Sequence, residues 1–241
     1  MEYLDESKRI QFPDPGRANP WGIVAQGGNL SPGLLLSAYE QGIFPWYESD
    51  PILWFSPDPR FVLFLEKFHV GRRLCRTIRN SSWHVTFDRT FDQVIAGCRE
   101  PRDRYGGTWI TDDMEQGYVE LHALGRAHSV EVWDSDHLVG GLYGVAVGSS
   151  FSGESMFSRE RDASKIALVA LVGLLHRLGI PFVDCQSYTT NLAAFGARDI
   201  PRKTFLTLLA PRIRDESAIP SDWSSWNGPE MLSHGLHVRT T

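Results

Sequence analysis

The stretch from Phe151 to Gln186, FSGESMFSRERDASKIALVALVGLLHRLGIPFVDCQ, decides the fold. Asp162 and Ser164 are both suited to cap a helix that is almost wholly apolar from Ile166 to Leu175 and stops at Gly179 after His176 and Arg177. A helix that is apolar on most sides is a buried helix. Ile180 to Cys185 then reads as a short apolar strand of the kind found inside a sheet, so strand, helix and strand are expected to form a βαβ crossover. Alternation along that second strand predicts Asp184 and Gln186 on one face and Cys185 on the other.

Working outward, HSVEVW, a turn from Asp134 to His137, LVGGLYGVAVG and SSFSGES alternate as an antiparallel meander leading into the crossover. Glu154 follows Gly153, where the last strand is expected to end and the chain to bend. Upstream, helices are predicted over His69 to Arg79, Phe91 to Cys98 and from Asp112 or Asp113 to Gly125, with strands over Phe61 to Leu65 and Trp83 to Phe87. Downstream, a short helix, a turn at Gly196 and another helix follow, and the tail from Asp215 is polar and expected to be loosely held. Near the N-terminus, the proline-rich run FPDPGRANP should wrap over a surface, with Trp21 as a pin, before a helix opened by Ser31 and Pro32 and closed by Gly42. Phe44, Trp46, Tyr47, Trp54 and Phe55 crowd among prolines, either as rigid packing or as an aromatic wall beside a ligand.

The chain has 241 residues, enough to bury a proper core, with 42% hydrophobic and 22% charged residues. No apolar run reaches the roughly 18 residues of a membrane helix, and the N-terminus has neither a secretory nor a transit pattern, so a cytoplasmic protein is expected. Cys75, Cys98 and Cys185 are widely spaced without CxxC or paired histidines, which argues against zinc and against a disulfide framework. A net charge of −5 predicts no nucleic-acid partner globally, so any such partner must bind a local patch. The helix HVGRRLCRTIR offers one, with Arg72, Arg73, Arg76 and Arg79 as phosphate contacts or as a solvated face.

A meander feeding one βαβ unit is an α+β layout similar to the N-acetyltransferase (GNAT) superfamily. There, a glycine-rich loop before the central helix holds the coenzyme A pyrophosphate. The corresponding MFSRERDASK, Met156 to Lys165, has no glycine, which argues against an acyl-CoA donor. The motifs GIFPWY, ILWFSPDPR, GTWIT, HSVEVW, LVGGLYGV, FSGESMFSR, ASK, DCQ and FGARDIPR, from about Gly22 to Phe205, resemble in order those of the bacterial leucyl/phenylalanyl-tRNA–protein transferases.

That resemblance implies an aminoacyltransferase without cofactor or metal. It would move Leu or Phe, less readily Met, from aminoacyl-tRNA to the α-amine of proteins with N-terminal Arg or Lys, marking them for degradation. An ester is already activated towards aminolysis, so positioning and proton handling suffice. The resemblance assigns Asp184 and Gln186 to catalysis, Asp184 either as base or as the residue orienting Gln186. It assigns Glu154 to the donor's terminal adenosine, with a pair to Arg159 or Arg161 as the alternative. Trp46 and Trp109 fall beside the adenosine and pocket mouth, and Leu142, Phe151, Met156, Leu168, Leu171 and Leu175 line the pocket for the donor side chain, with core packing as the competing role. The chain departs from the family pattern at Leu142, where Met is familiar, and at Phe195. The pattern alone names no residue for an acidic pocket that would take the acceptor's basic residue, although Glu131 and Asp184 are carboxylates in that region of the sheet. Cys185 is expected to be inert. Residues 1–58 are expected to form a small N-terminal α/β domain on an acetyltransferase-like domain of residues 59–241, as a monomer. A coenzyme A-dependent N-acyltransferase and a non-catalytic module binding tRNA or N-terminal degrons are the alternatives.

Overall fold

A computed structural model gives the fold and describes residues 8–46, 50–100, 110–215 and 219–238. A small antiparallel sheet comes first, built from β1 (Ile23–Gln26), β2 (Phe44–Pro45) and β3 (Leu53–Phe55) in the order β1-β3-β2, with α1 (Pro32–Glu40) between its first two strands. Then follow β4 (Arg60–Phe64), α2 (Arg72–Asn80), β5 (His84–Phe87), α3 (Phe91–Arg99), α4 (Asp112–Ala123), β6 (Ala127–Asp134), β7 (His137–Val147) and β8 (Ser150–Ser158). The chain closes with α5 (Ala163–Arg177), β9 (Phe182–Asp184), α6 (Thr190–Ala193), β10 (Arg198–Ile200), α7 (Arg202–Leu209) and α8 (Gly228–His237).

The large sheet runs β10-β4-β9-β8-β7-β6-β5, antiparallel throughout except for β8 beside β9. The meander is β6-β7-β8 and the crossover is β8-α5-β9, both as expected. A parallel neighbour needs a crossover of a dozen or more residues, and the apolar α5 supplies it. Leu142 and Ala146 of β7 pack into one core with α5; Tyr143, Val145 and Val147 point into a second core shared with α1, α3 and α4. That second core also takes Phe44 and Trp54 of the small sheet, so the two sheets are joined by shared apolar burial. Val62, Phe182, Ile200, Phe205 and Leu209 form a third, smaller core under α7.

Three expectations are corrected. Trp21 is 78% exposed and pins nothing. β8 does not end at Gly153 but continues to Ser158 through a bulge: Tyr143 pairs with Ser155 and Gly144 with Gly153, which leaves Glu154 as the extra residue. The tail from Asp215 is docked rather than loose. Trp223 is fully buried, stacked on the His128 ring at 4.1 Å between centroids and on Phe151 at 5.6 Å, and α8 lies against α5. The helices approach at glycines: a Cβ on Gly173 would sit 2.0 Å from the Met231 carbonyl oxygen. Replacing Gly173 by Ala must push α8 away, so Gly173→Ala should lower stability by about 1–3 kcal/mol in chemical denaturation. An unchanged midpoint would mean that α8 is not held at this contact.

Candidate active site

A cavity of about 470 Å³ opens where the small sheet meets the large one. Phe44, Pro45 and Trp46 form one wall; β7, the bulged part of β8, α5, the end of β9 and the following residues to Leu192 form the rest. The volume is within the roughly 300–1,000 Å³ of small-molecule sites.

Of the residues named from the sequence, the structure gathers Trp46, Leu142, Glu154, Met156, Leu168, Leu171 and Gln186 at this cavity. Trp46 is 46% exposed at its mouth, its ring 5.6 Å from Phe55. Trp109 lies outside the described residues. Phe151 and Leu175 are fully buried in the α5 core and do not line the cavity. The four arginines of α2 are exposed, Arg72, Arg76 and Arg79 on the helix face opposite buried Leu74 and Arg73 to one side of it.

The expected strand parity fails at its last residue. β9 ends at Asp184, and Gln186 takes a left-handed backbone with φ of 62°. Alternation stops there, so Cys185 and Gln186 both line the cavity and Asp184 does not. The Asp184 side chain is buried against β4. Its Oδ1 accepts from Arg60 Nε at 2.7 Å and its Oδ2 from Arg60 Nη2 at 2.6 Å. The Gln186 backbone N–H donates to Oδ1 at 3.0 Å and the Ser152 hydroxyl to Oδ2 at 3.3 Å. Four donors fill the acceptor sites of the carboxylate, and the guanidinium matches its charge.

Glu154 is set up differently. The bulge turns it into the cavity wall, where Gln186 Nε2 donates to Oε1 at 2.7 Å and the Tyr118 hydroxyl to Oε2 at 3.0 Å. The Tyr118 hydroxyl lies 2.8 Å from that of Tyr39, so α1, α4, β8 and the β9 turn are joined by one polar chain through an otherwise apolar core. Burial pushes the Glu154 carboxyl up to about 7; the Tyr39 and Tyr118 hydroxyls pull against that, the Asp184 charge adds to it, and the Gln186 amide opposes it. Both phenols are held well above their ordinary value, first by burial and then by the Glu154 charge. Arg159 pairs with Glu100 and Arg161 with Asp162, so neither takes up Glu154.

One further expectation changes, and Glu131 can now be placed. Glu131 is not an open acidic pocket: it is buried and accepts from the Ser129 and Thr86 hydroxyls and the Arg89 amide. Cys185 borders the cavity rather than facing away, yet burial and then the Asp184 charge push its thiol far up, so it stays protonated. Sequence reasoning missed the roles of Arg60, Tyr39 and Tyr118. The signal for Arg60 was an arginine opening the apolar run RFVLF, which demands a buried counter-ion. Nothing local marked the tyrosines, which read as core.

Because the Glu154 carboxyl is raised in the folded state, folding favours its protonated form. Its contribution to stability is fullest below about 4.5 and is lost as pH climbs through about 7. Glu154→Gln should therefore stabilise the protein at pH 8 by up to about 3 kcal/mol and leave it little changed near pH 4. Thermal unfolding at the two pH values checks this; equal shifts at both would contradict it.

Among the described residues no group of three or more His, Cys, Asp or Glu could hold a metal ion, and no helix is long and apolar enough to cross a membrane. A solved conserved protein of unknown function from Staphylococcus epidermidis aligns with a TM-score of 0.41 at 9% identity over 59% of this chain and 57% of its own, too slight a likeness to bear on the fold. The family model for leucyl/phenylalanyl-tRNA protein transferase matches residues 62–210, and the model for that family's N-terminal domain matches residues 28–58. The chain is 52% identical over 217 residues to the leucyl/phenylalanyl-tRNA–protein transferase of Stutzerimonas stutzeri, covering 89% of this chain and 95% of that one. It is 50% identical over 226 residues to the same-named protein of Aromatoleum aromaticum, covering 92% and 95%. It is 51% identical over 231 residues to that of Nitratidesulfovibrio vulgaris, covering 93% and 99%. On these matches the chain belongs to the leucyl/phenylalanyl-tRNA–protein transferase family.

Proposed function

We propose that this protein transfers Leu or Phe, and less readily Met, from aminoacyl-tRNA to the α-amine of proteins whose N-terminal residue is Arg or Lys. The observation that carries the reading is the cavity: an apolar recess bordered by Leu142, Met156, Leu168 and Leu171 that opens directly onto the Glu154–Gln186 pair. The recess takes the donor's side chain, with Phe151 and Leu175 in the same core behind the lining residues. A hydrophobic recess separates side chains by only about 1–3 kcal/mol per methylene-sized difference, in keeping with several accepted hydrophobes. Trp46 stacks on the terminal adenosine at the mouth. Glu154 and Gln186 stand beside the ester, and Asp184 orients Gln186 by holding its backbone N–H.

The arginines of α2 take tRNA phosphates without reading sequence. A coenzyme A reading is disfavoured by the start of α5, where Asp162 holds the N-cap position and pairs with Lys165 at 2.7 Å, while the Ala163 and Ser164 amides already donate to the Glu160 carbonyl oxygen and the Ser158 hydroxyl. A pyrophosphate approaching there would meet a carboxylate in place of free backbone amides. Residues 1–58 form a small domain, residues 59–241 the catalytic one, in our reading; the enzyme acts as a monomer in the cytoplasm.

Purified protein, charged Leu- or Phe-tRNA and a peptide starting with Arg or Lys should give a peptide longer by one residue at low salt. No extension would sink the proposal. In the same assay Asp184→Ala should abolish transfer while charged tRNA still binds, because it removes the anchor of the Gln186 turn. Charge reversal of Arg76 and Arg79 should raise the apparent KM for charged tRNA about tenfold and flatten its salt dependence. An unchanged KM would reduce α2 to a solvated face.

A further inference from the structure

The transfer reaction needs a group that can take a proton from the attacking amine, and the two acids of the site are not equivalent for that task. Asp184 has both oxygens in a bidentate pair with Arg60, accepts from two further donors, and does not border the cavity. Among the described residues that line the cavity, Glu154 is the one carboxylate and none is histidine. The Cys185 thiol there stays protonated, and the remaining ionisable lining groups are the phenols of Tyr143 and Tyr188. Gln186 Nε2, the Tyr118 hydroxyl and the Tyr39 hydroxyl act on the Glu154 carboxylate, three donors against about four acceptor sites, which leaves room for one further donor.

We infer that Glu154 is the catalytic residue that accepts the proton of the attacking α-amine, and that Asp184, held by Arg60, is a positioning residue acting through Gln186. This rests on the transferase reading above. The amine, as its free base, forms the C–N bond at the ester carbonyl carbon, and its N–H proton passes to the Glu154 carboxylate. As the C–O bond to the ribose breaks, the oxygen leaves with the electron pair and takes that proton back. The products are an amide and a free ribose hydroxyl, and Glu154 ends as it began. A carboxyl raised to about 7 is matched to this double duty near neutral pH. The groups that face it are Tyr39 of α1 and Tyr118 of α4, which also lie within hydrogen-bond distance of each other, Gln186 after β9, and Asp184, whose charge is shared with Arg60 of β4.

The test is the pH dependence of kcat at saturating charged tRNA and acceptor peptide, for the native chain, Glu154→Gln and Tyr118→Phe. Glu154→Gln should lower kcat about 100-fold or more and keep KM for charged tRNA within about threefold. Tyr118→Phe removes a donor to the carboxylate, so the acidic limb of its kcat profile should move to higher pH. A limb unmoved in Tyr118→Phe, or a loss in Glu154→Gln that appears only as a higher KM, would overturn the assignment and return Glu154 to donor holding. If the native chain extends no peptide, the transferase reading falls and this assignment with it. If the native chain is active and Glu154→Gln, folded by thermal unfolding, keeps its kcat, only the assignment falls.

Discussion

The buried pair of Arg60 and Asp184 is the interaction on which the rest of the structure depends. Two charges out of water are costly, and they are tolerated only where geometry and extra hydrogen bonds are complete. Here they are complete in an unusual direction. Arg60 reaches the Gly42 carbonyl oxygen with Nη1 at 3.2 Å, lies 4.8 Å from the Phe44 ring and 4.5 Å from the Phe205 ring, and holds Asp184 with its other nitrogens. One guanidinium thus ties the small sheet, β4, α7 and the end of β9 together. Losing either partner would strand a charge at a cost of about 3–5 kcal/mol. The polypeptide beyond α1, the strand carrying the acid and the turn carrying Gln186 cannot move independently.

That arrangement explains how two acids a few positions apart in space serve different ends. Asp184 is saturated and electrically matched, which fixes geometry. Glu154 is poorly solvated, supported by neutral donors, and pushed towards neutrality. Environments that drive the properties of two carboxyls apart are a common way for a site to divide labour at neutral pH. Backbone irregularity achieves it here: a bulge aims Glu154 inward, and a left-handed residue brings Gln186 back to meet it.

Much of this was legible in the sequence, and the failures have physical causes. The meander and the crossover follow from turn residues and from the apolar run of α5, which are local signals. The leucines of the recess came from the family resemblance; helical spacing put Leu168, Leu171 and Leu175 on one face, yet Leu175 is core. The parity argument for Asp184, Cys185 and Gln186 failed because alternation assumes an extended chain, and Gln186 is not extended. Tyr39, Arg60 and Tyr118 were invisible as site residues because their partners lie 79, 124 and 36 positions away. β10 and the docking of α8 were missed for the same reason: a three-residue strand and a polar helix show their worth only against a distant partner.

The seat of α8 on α5 has a consequence for how the molecule is made. The Gly173 face of the helix that borders the cavity is covered by residues 228–237, and β9 pairs with a strand completed long before it. A nascent chain therefore carries β4 without β9 until residue 184 has been made, and α5 without its cover until residues 228–237 have been made. Contacts of such separation form late. Tyr39, Tyr118 and Glu154 can meet before Arg60 finds Asp184, so the site is complete only once β9 and the Gln186 turn have been made.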